Sequence, residues 1–305
     1  MNNIFILIGP TASGKSDLAM RLVKKFPLEI INADLFSAYR YLDIGTAKPS
    51  KEELNTYKHH LVNILDPTMK YNVSQYCADA KKCIQDILSS NKAPLITGGS
   101  MMYVYQLLNG LSHKYDVSDT DLKLIQLIKS RYTNKQIITS ISNYNPALTN
   151  KINFNDTYRV EKLLERLISN KTNESNFKGL YQEKNTKIHI IFIAINDRQH
   201  LREAIKKRTD KILRNGLVEE VDRLLINFKL NNLSQCMKAI GYKEALQYIN
   251  KDITLEELHS SITVSTHQLA KRQITWMNKF AIDYQYSYPE NNNHSLFSYI
   301  EKILN

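Results

Sequence analysis

Cysteine is scarce in this chain, and its few copies form no pattern. Cys77, Cys83 and Cys236 are the only cysteines in 305 residues. They lack the paired spacing of a zinc site, and their odd number argues against a disulfide framework. Because free thiols persist in a reducing compartment, the sequence predicts a cytoplasmic protein.

Long apolar runs and a targeting segment are also missing. No apolar run approaches the ~20 residues that a helix needs to span a bilayer. The first residues lead directly into a predicted core strand at 4–8, which is not the layout of a removable signal peptide. We therefore expect no membrane segment.

Acidic residues are outnumbered, with 30 Asp and Glu against 41 Lys and Arg, which gives a net charge of +11. Such an excess suits a polyanionic partner such as nucleic acid. The lysine-rich composition of an AT-rich genome would produce the same excess, so charge alone leaves both explanations open. With 43% hydrophobic and 23% charged residues, the chain can bury a core, which excludes a disordered protein.

Short apolar segments alternate with helical patterns over the first hundred residues. They are 4–8, 28–31, 61–65 and 94–97. Such alternation is typical of a parallel sheet with helices on both faces. The chain is polar and helical over 116–185, and a buried strand returns at 188–195. The sequence predicts an α/β fold in which 1–115 and 186–305 form the core and 116–185 forms an inserted all-helical subdomain.

One glycine-rich stretch follows the first predicted strand and precedes a helical pattern. It reads Gly9-Pro10-Thr11-Ala12-Ser13-Gly14-Lys15-Ser16, the pattern of a phosphate-binding loop, or P-loop. In such a loop the backbone amides and the helix N-terminus point at an anion. Lys15 adds positive charge at the outer phosphate, and the Ser16 hydroxyl is a candidate ligand for Mg²⁺. The loop predicts a bound diphosphate or polyphosphate without saying whether a phosphoryl group is transferred.

Two further motifs follow predicted strands, where ligands bind in parallel sheets. Asp34 comes soon after the strand at 28–31, and its carboxylate suits a magnesium ligand or a proton acceptor, although a helix cap explains it equally well. Gly98-Gly99-Ser100 follows the strand at 94–97. The paired glycines let a substrate approach the backbone, although a simple turn explains them too.

A basic pair stands in the last long helical pattern. Lys271-Arg272 is flanked by Gln268 and Gln273. A basic pair among hydrogen-bonding side chains suits a diphosphate or a nucleic-acid backbone. The alternative is the solvated face of an amphipathic helix.

Together these segments resemble the tRNA dimethylallyltransferase family, enzymes that prenylate N6 of an adenosine beside the anticodon. The resemblance is ordered and runs over almost the whole chain. Besides the P-loop, it rests on Asp34 with Asp43-Ile44-Gly45-Thr46-Ala47-Lys48-Pro49, His59-His60-Leu61 with Asp66-Pro67, Gly98-Gly99-Ser100 with Tyr103, Asn155-Asp156 with Arg159 and Glu165, Gly216-Leu217-Val218-Glu219-Glu220-Val221, Ala239-Ile240-Gly241-Tyr242-Lys243-Glu244, and Gln268-Leu269-Ala270-Lys271-Arg272-Gln273 with Thr275-Trp276.

The resemblance implies transfer of a prenyl group from dimethylallyl diphosphate, with Mg²⁺ as cofactor. The implied diphosphate-binding residues are Gly9, Pro10, Thr11, Ala12, Ser13, Gly14, Lys15, Ser16 and Arg272, with the metal ion at Ser16. The implied catalytic residues are Asp34, which accepts a proton from N6, Ser100 and Lys15. The implied tRNA-binding residues are Asp34, Leu35, Phe36, Ser37, Ser100, Lys123, Tyr158, Arg159, Lys162, Gln268 and Lys271. The insertion and the core are expected to clasp the anticodon stem-loop of tRNA, and the protein is expected to be a monomer.

The chain departs from the family pattern at several positions. Leu35 and Ser37 stand where the family has Ser and Gln, Tyr41 where it has Gly, and His267 where it has Arg. We expect activity, because Asp34, Lys15 and Arg272 remain, and we expect these departures to weaken it. Three rival functions stay open: a small-molecule P-loop kinase, an isopentenyltransferase acting on free adenine nucleotides, and an RNA-binding protein that has lost its activity.

Overall fold

The structure is a computed structural model that describes residues 1–111, 114–115, 117–150, 152–169, 172–173, 177–288 and 294–304. Contacts between Cα atoms divide the chain into two units. The first is Met1–Asn109 with Gly179–Asn305, and the second is Gly110–Lys178. None of the helices within these described ranges is both long and apolar enough to cross a membrane.

The inserted unit has different boundaries from those expected. It begins at residue 110 rather than at 116, which lies outside the described residues, and it ends at 178 rather than at 185. A β-bridge between Gly110 and Lys178 closes the insertion, and the Leu111 amide donates to the Phe177 carbonyl at 3.3 Å. Composition shows where the chain becomes polar. The chain leaves the first unit several residues before that point, at the end of the helix Met101–Asn109.

The strands form one large sheet and one short ladder. They are β1 Asn2–Ile8, β2 Leu28–Asn32, β3 His59–His60, β4 Ala93–Thr97, β5 Lys114–Tyr115, β6 Thr172–Asn173, β7 Thr186–Ile195 and β8 Tyr284–Tyr288. In the described part of the chain, six of them form a sheet in the order β3-β2-β4-β1-β7-β8, and all neighbours are parallel. The predicted parallel sheet is confirmed.

The helices lie between and after these strands. They are α1 Lys15–Lys25, α2 Lys51–Thr56, α3 Val73–Ser89, α4 Met101–Asn109, α5 Asp119–Arg131, α6 Asn134–Tyr144, α7 Thr157–Ile168, α8 Arg198–Arg214, α9 Leu217–Phe228, α10 Tyr242–Ile249, α11 Leu255–Met277 and α12 His294–Leu304. Short 3₁₀ turns add Phe36–Ala38, Pro146–Leu148, Leu180–Gln182 and Cys236–Lys238.

The central strand β1 is apolar throughout because a parallel strand in such a sheet is covered on both faces. Its residues 4–8 are all fully buried. Phe5 and Leu7 belong to a cluster that includes Leu22 of α1 and Ile300 of α12. Ile6 and its neighbours in the alternate register lie on the opposite face and are equally buried.

Two strands differ from the sequence-based expectation. The strand expected at 61–65 lies instead at His59–His60, because Leu61 and Asn63 have φ angles of 62° and 56° and end the extended run. The edge strand β8 was not expected, although its sequence Tyr-Gln-Tyr-Ser-Tyr alternates large and small or polar side chains with the period of a strand.

The inserted unit is not all helical. Its helices α5, α6 and α7 pack around Ile125, Ile137, Val160 and Leu164. The antiparallel ladder of β5 and β6 adds a short sheet at its base, with Lys114 opposite Asn173. A strand of two residues is too short to show the alternation of apolar and polar residues that identifies a strand in a sequence. The sequence therefore did not predict this ladder.

The order of the sheet fixes where the chemistry can lie. Strands β2, β4 and β1 are consecutive neighbours, with Asn32 paired to Thr97 and Thr97 paired to Leu7. Because the strands are parallel, their carboxyl ends meet at one edge. The three motifs that follow these strands are therefore brought side by side.

Candidate active site

The loop after β1 is shaped to surround an anion. Ala12 and Gly14 have φ angles of 61° and 76°, so the backbone turns back on itself before α1 begins. A Cβ atom on Gly9 would lie 2.9 Å from the Cβ of Ile193, which only glycine avoids. The Ser13 hydroxyl is buried and has no hydrogen-bond partner among the described residues. A buried donor without a partner fits a loop that completes its hydrogen bonds with a ligand.

The Lys15 ammonium is folded back onto the loop. Its Nζ donates to the carbonyl oxygens of Gly9 at 2.8 Å and Pro10 at 2.7 Å. Burial, together with the positive charge of Arg208, lowers the pKa of Lys15 to about 7, and the negative charge of Asp34 opposes part of this shift. An incoming diphosphate would stabilise the charged form of this lysine.

Asp34 follows β2 and uses one carboxylate oxygen to cap the next turn. Its Oδ1 accepts from the amide of Phe36 at 2.9 Å and from the amide of Ser37 at 3.4 Å. Its Oδ2 lies toward Gly99 and meets no hydrogen-bond donor within the ranges that the structure describes. The cap and the proton acceptor that the sequence left as alternatives are therefore compatible, because each uses a different oxygen.

The turn after β4 packs tightly against the turn that carries Asp34. A Cβ atom on Gly98 would lie 2.1 Å from the carbonyl carbon of Ala33, and one on Gly99 would lie 2.9 Å from Asp34 Oδ2. The Ser100 hydroxyl accepts from the Leu35 amide at 3.0 Å, and the Ser100 amide donates to the Ala33 carbonyl at 2.9 Å. Ser100 thus fixes the loop that follows Asp34.

Gln273 of α11 joins two of the three loops. Its side chain is 3% exposed. Its Oε1 accepts from the Thr11 amide at 2.7 Å, and its Nε2 donates to the Gly99 carbonyl at 3.0 Å. In the sequence, Gln273 stands beside a basic pair and has no evident role. In the structure, its side chain links the P-loop to the β4 turn.

Arg208 of α8 is a site residue that the sequence analysis missed. Its charge acts on Lys15, and burial lowers the pKa of its own guanidinium while Asp34 opposes that change. Its Nη2 donates to the Thr46 carbonyl at 3.3 Å. The spacing offered a signal, because Arg208 lies three residues after buried Ile205 and four before buried Ile212, on the inward face of α8.

The predicted ligands on α11 lie on a different face from Gln273. The side chains of Gln268, Lys271 and Arg272 are exposed. Successive helical residues are about 100° apart, so Arg272 is turned well away from the buried Gln273 beside it. The role of Arg272 at the diphosphate stays a prediction, as do the RNA contacts of Gln268 and Lys271.

The segment after Asp34 is half buried. Leu35 and Phe36 pack against an apolar cluster that includes Leu42, and Ser37 is 9% exposed. Tyr41, which stands where the family pattern has Gly, has a φ of 66°. Tyr41 is 56% exposed, and its ring centroid lies 5.4 Å from that of Phe228.

The predicted tRNA-binding residues of the insertion are all on its surface. Lys123 is exposed on α5, and Tyr158 is 70% exposed on α7. Arg159 pairs with Asp156 at 3.3 Å. Lys162 pairs with Glu165 at 2.6 Å and lies 5.7 Å from the centre of the Tyr158 ring. Their accessibility is compatible with RNA contacts, which stay predictions.

A site for Mg²⁺ depends on the ligand as much as on the protein. Among the described residues, no group of three or more His, Cys, Asp or Glu could hold a metal ion. Magnesium often takes one or two protein oxygens and completes its shell with phosphate oxygens and water. The exposed Ser16 in the first turn of α1 fits that arrangement.

Comparison with known proteins places this site in a family. Residues 37–280, more than half of the chain, match the family model described as IPP transferase. The chain belongs to the IPP transferase family. The tRNA dimethylallyltransferase of Coxiella burnetii is 35% identical over 279 residues, 91% of this chain and 90% of that protein. That of Sulfurihydrogenibium sp. is 37% identical over 279 residues, with 90% and 89% covered.

Solved structures of the IPP transferase family agree with the fold. The tRNA delta(2)-isopentenylpyrophosphate transferase of Staphylococcus epidermidis superposes with a TM-score of 0.70 at 28% identity, over 100% of this chain and 99% of that one. A eukaryotic dimethylallyltransferase acting on tRNA superposes with a TM-score of 0.80 at 22% identity, over 99% and 80%. The resemblance drawn from the motifs is confirmed.

Proposed function

We propose that this member of the IPP transferase family is a tRNA dimethylallyltransferase. It transfers the dimethylallyl group of dimethylallyl diphosphate to N6 of the adenosine next to the anticodon, at position 37 of tRNA. The curated relatives that carry this name cover about nine-tenths of the chain. The observation that carries the proposal is the carboxylate of Asp34, which follows β2 in the same sheet as the P-loop strand and whose charge affects the pKa of both Lys15 and Arg208.

The P-loop and Arg208 hold the leaving group. The bond between the prenyl carbon and the diphosphate oxygen breaks as the carbon–N6 bond forms, so negative charge grows on the diphosphate. Lys15 and Arg208 supply positive charge at this point, and the Ser13 hydroxyl supplies a buried donor. Donors already aimed at developing charge stabilise a transition state most effectively.

Asp34 receives the proton that N6 loses. Its Oδ1 is held by two backbone amides, so Oδ2 is the oxygen available to the amine. A positioned carboxylate acts as a general base even when its environment is polar. The target base must leave its stack to reach this oxygen, and single-stranded loop bases are the ones that proteins extract most readily.

When bound, Mg²⁺ would supply positive charge that neutralises part of the charge of the diphosphate. Ser16 is the residue of this chain that would hold it. The net charge of +11 and the exposed basic and aromatic residues of the insertion support a tRNA partner. We also propose that the protein acts as a monomer in the cytoplasm, where its three free thiols, all within the described ranges, would stay reduced.

A labelling assay tests the function directly. The purified protein is incubated with Mg²⁺, radiolabelled dimethylallyl diphosphate and either unmodified tRNA, AMP or ATP. We expect label only in tRNA, and nuclease digestion of that tRNA to release an N6-alkylated adenosine. Label in AMP at a comparable rate would favour the enzyme of free nucleotides. Turnover of ATP without labelling of tRNA would favour a kinase. Binding of tRNA without turnover of either substrate would favour an RNA-binding protein that has lost its activity.

The protonation of Lys15 predicts a pH dependence. Because its pKa is lowered to about 7, the charged fraction in the free enzyme falls about tenfold for each pH unit above that value. We expect kcat/KM for dimethylallyl diphosphate to fall with a slope approaching −1 as pH rises above about 7. The measurement is a series of initial rates from pH 6 to 9 at saturating tRNA.

Two variants provide the control for this profile. Lys15→Arg introduces a guanidinium that stays protonated over the whole range, so the fall in kcat/KM above about pH 7 is expected to disappear. Lys25→Arg, at the exposed end of the same helix, leaves the wild-type profile in place. A flat wild-type profile up to pH 9 would contradict the assignment of this titration to Lys15.

A further inference from the structure

The backbone of the loop at 43–46 is held by a buried carboxylate. Glu220 of α9 is 6% exposed, although it is a carboxylate on the apolar face of its helix. Its oxygens accept from the amides of Asp43 at 3.1 Å, Ile44 at 2.9 Å and Gly45 at 3.5 Å. A buried carboxylate with this many donors is satisfied only while the loop keeps its shape.

Tyr242 completes the anchor from the other side. Its ring is fully buried, and its hydroxyl donates to Glu220 Oε1 at 2.5 Å. Burial and the neighbouring carboxylate raise the pKa of Tyr242 well above its ordinary value, so the hydroxyl remains a donor. The ring also fills the space beside Gly45, where a Cβ atom would lie 2.3 Å from a ring carbon.

The far end of the same loop reaches Arg208. The Thr46 carbonyl accepts from Arg208 Nη2 at 3.3 Å. The Thr46 hydroxyl donates to the Leu42 carbonyl at 2.6 Å, and the Ala47 amide donates to the Ile44 carbonyl at 3.0 Å. The carbonyl that orients the guanidinium is therefore one residue away from the amides that Glu220 holds.

We propose that Glu220 and Tyr242 are positioning residues that act through Arg208. They fix the backbone of the loop at 43–46. Through the Thr46 carbonyl, this loop then directs the Arg208 guanidinium toward the diphosphate. The proposal rests on the function proposed above. Because a guanidinium has five donors in a rigid fork, the carbonyl that engages one nitrogen decides where the others point.

A purely structural role is the alternative, and the chemistry of the anchor argues against it. Burying a charged carboxylate and a tyrosine hydroxyl costs desolvation, and a well-packed apolar contact stabilises a loop equally well. What an apolar contact lacks is direction. Three amide donors and one hydroxyl donor fix the position and orientation of the loop backbone relative to Glu220. They therefore also fix the position of the Thr46 carbonyl, which follows in the same loop.

A double-mutant cycle separates the two roles. Tyr242→Phe removes the hydroxyl and keeps the ring against Gly45. We expect it to lower kcat/KM for dimethylallyl diphosphate roughly 3- to 10-fold, since mutations that act through a contact network commonly change coupling by such factors. KM for tRNA is expected to change less than twofold. In an Arg208→Ala background, Tyr242→Phe should have almost no further effect, because the residue that it positions is gone.

A second variant and a control keep the test decisive. Glu220→Gln keeps the shape of the side chain, and we expect the same loss and the same non-additivity with Arg208→Ala. Tyr248→Phe removes a hydroxyl from a tyrosine that packs on the same apolar cluster, and we expect wild-type kinetics. Thermal unfolding of each variant is measured in parallel, and binding of inorganic diphosphate reports on the site without turnover.

The outcomes distinguish this proposal from the function on which it rests. If the wild-type protein does not alkylate tRNA, the proposed function fails. If it does, and Tyr242→Phe and Glu220→Gln cost the same factor with and without Arg208, the positioning role is overturned. Wild-type diphosphate binding and kinetics in both folded variants would overturn it as well.

Discussion

Replacing Asp34 by Asn is expected to lower the rate of prenyl transfer by about 10²- to 10⁴-fold, the usual contribution of a general base. The carboxamide lacks the basic oxygen that receives the proton from N6. It keeps an oxygen for the amides of Phe36 and Ser37, and asparagine caps a turn as well as aspartate does. The loss should therefore appear in kcat, and the affinity for tRNA should stay within about a factor of two, because the surrounding turn keeps its hydrogen bonds.

The measurement combines single-turnover rates with tRNA binding by filter retention. Asp34→Ala is a useful comparison, since it removes the cap together with the base and is expected to cost a further ~1 kcal/mol of stability. Asp86→Asn makes the same charge change at an exposed position on α3 and should leave the rate unchanged. Turnover of Asp34→Asn near the wild-type rate would remove Asp34 from the proton transfer.

Arg208→Ala is expected to lower kcat/KM for dimethylallyl diphosphate by about 10²- to 10³-fold, the loss seen when one aimed donor to a developing anion is removed. The charge of the guanidinium affects the pKa of Lys15, and the charge of Asp34 affects the pKa of Arg208, so the three groups share one site. The effect should exceed that of Arg272→Ala, because Arg272 is exposed on α11.

Initial rates at varied dimethylallyl diphosphate and saturating tRNA give the comparison. Arg202→Ala removes an exposed arginine from the same helix and serves as the matched control. Arg208→Lys keeps the charge without the fork and should recover part of the loss. An Arg208→Ala enzyme with the wild-type dependence on dimethylallyl diphosphate would exclude this arginine from the site.

The strand-end motifs could be predicted because their signals are local. A run of five apolar residues before Gly9 defines a buried strand, and the parallel sheet then requires Asp34 and Gly98 to end beside it. The resemblance added the reaction, which the P-loop by itself leaves open. Both inferences depend on residues that are consecutive in the chain.

The residues that support the site were missed because their signal is spread over a helix. Helix α8 contains many basic residues, and only its period shows that Arg208 shares a face with buried Ile205 and Ile212. Glu220 likewise lies on the face of α9 that buries Leu217 and Leu224. A charged residue that falls on the apolar face of a helix is the signal to look for. Such a residue needs a partner, because burying a charge without one is costly.

The Gln273 bridge has a consequence for the chain as a whole. The amino-terminal hundred residues contain the P-loop, Asp34 and Gly98-Gly99-Ser100, yet the side chain that joins the P-loop to the β4 turn comes from α11. A fragment that ends before α11 would retain the paired strands and their loops, but it would lack the side chain that joins the P-loop to the β4 turn. The catalytic apparatus is therefore assembled only after α11 has been synthesised.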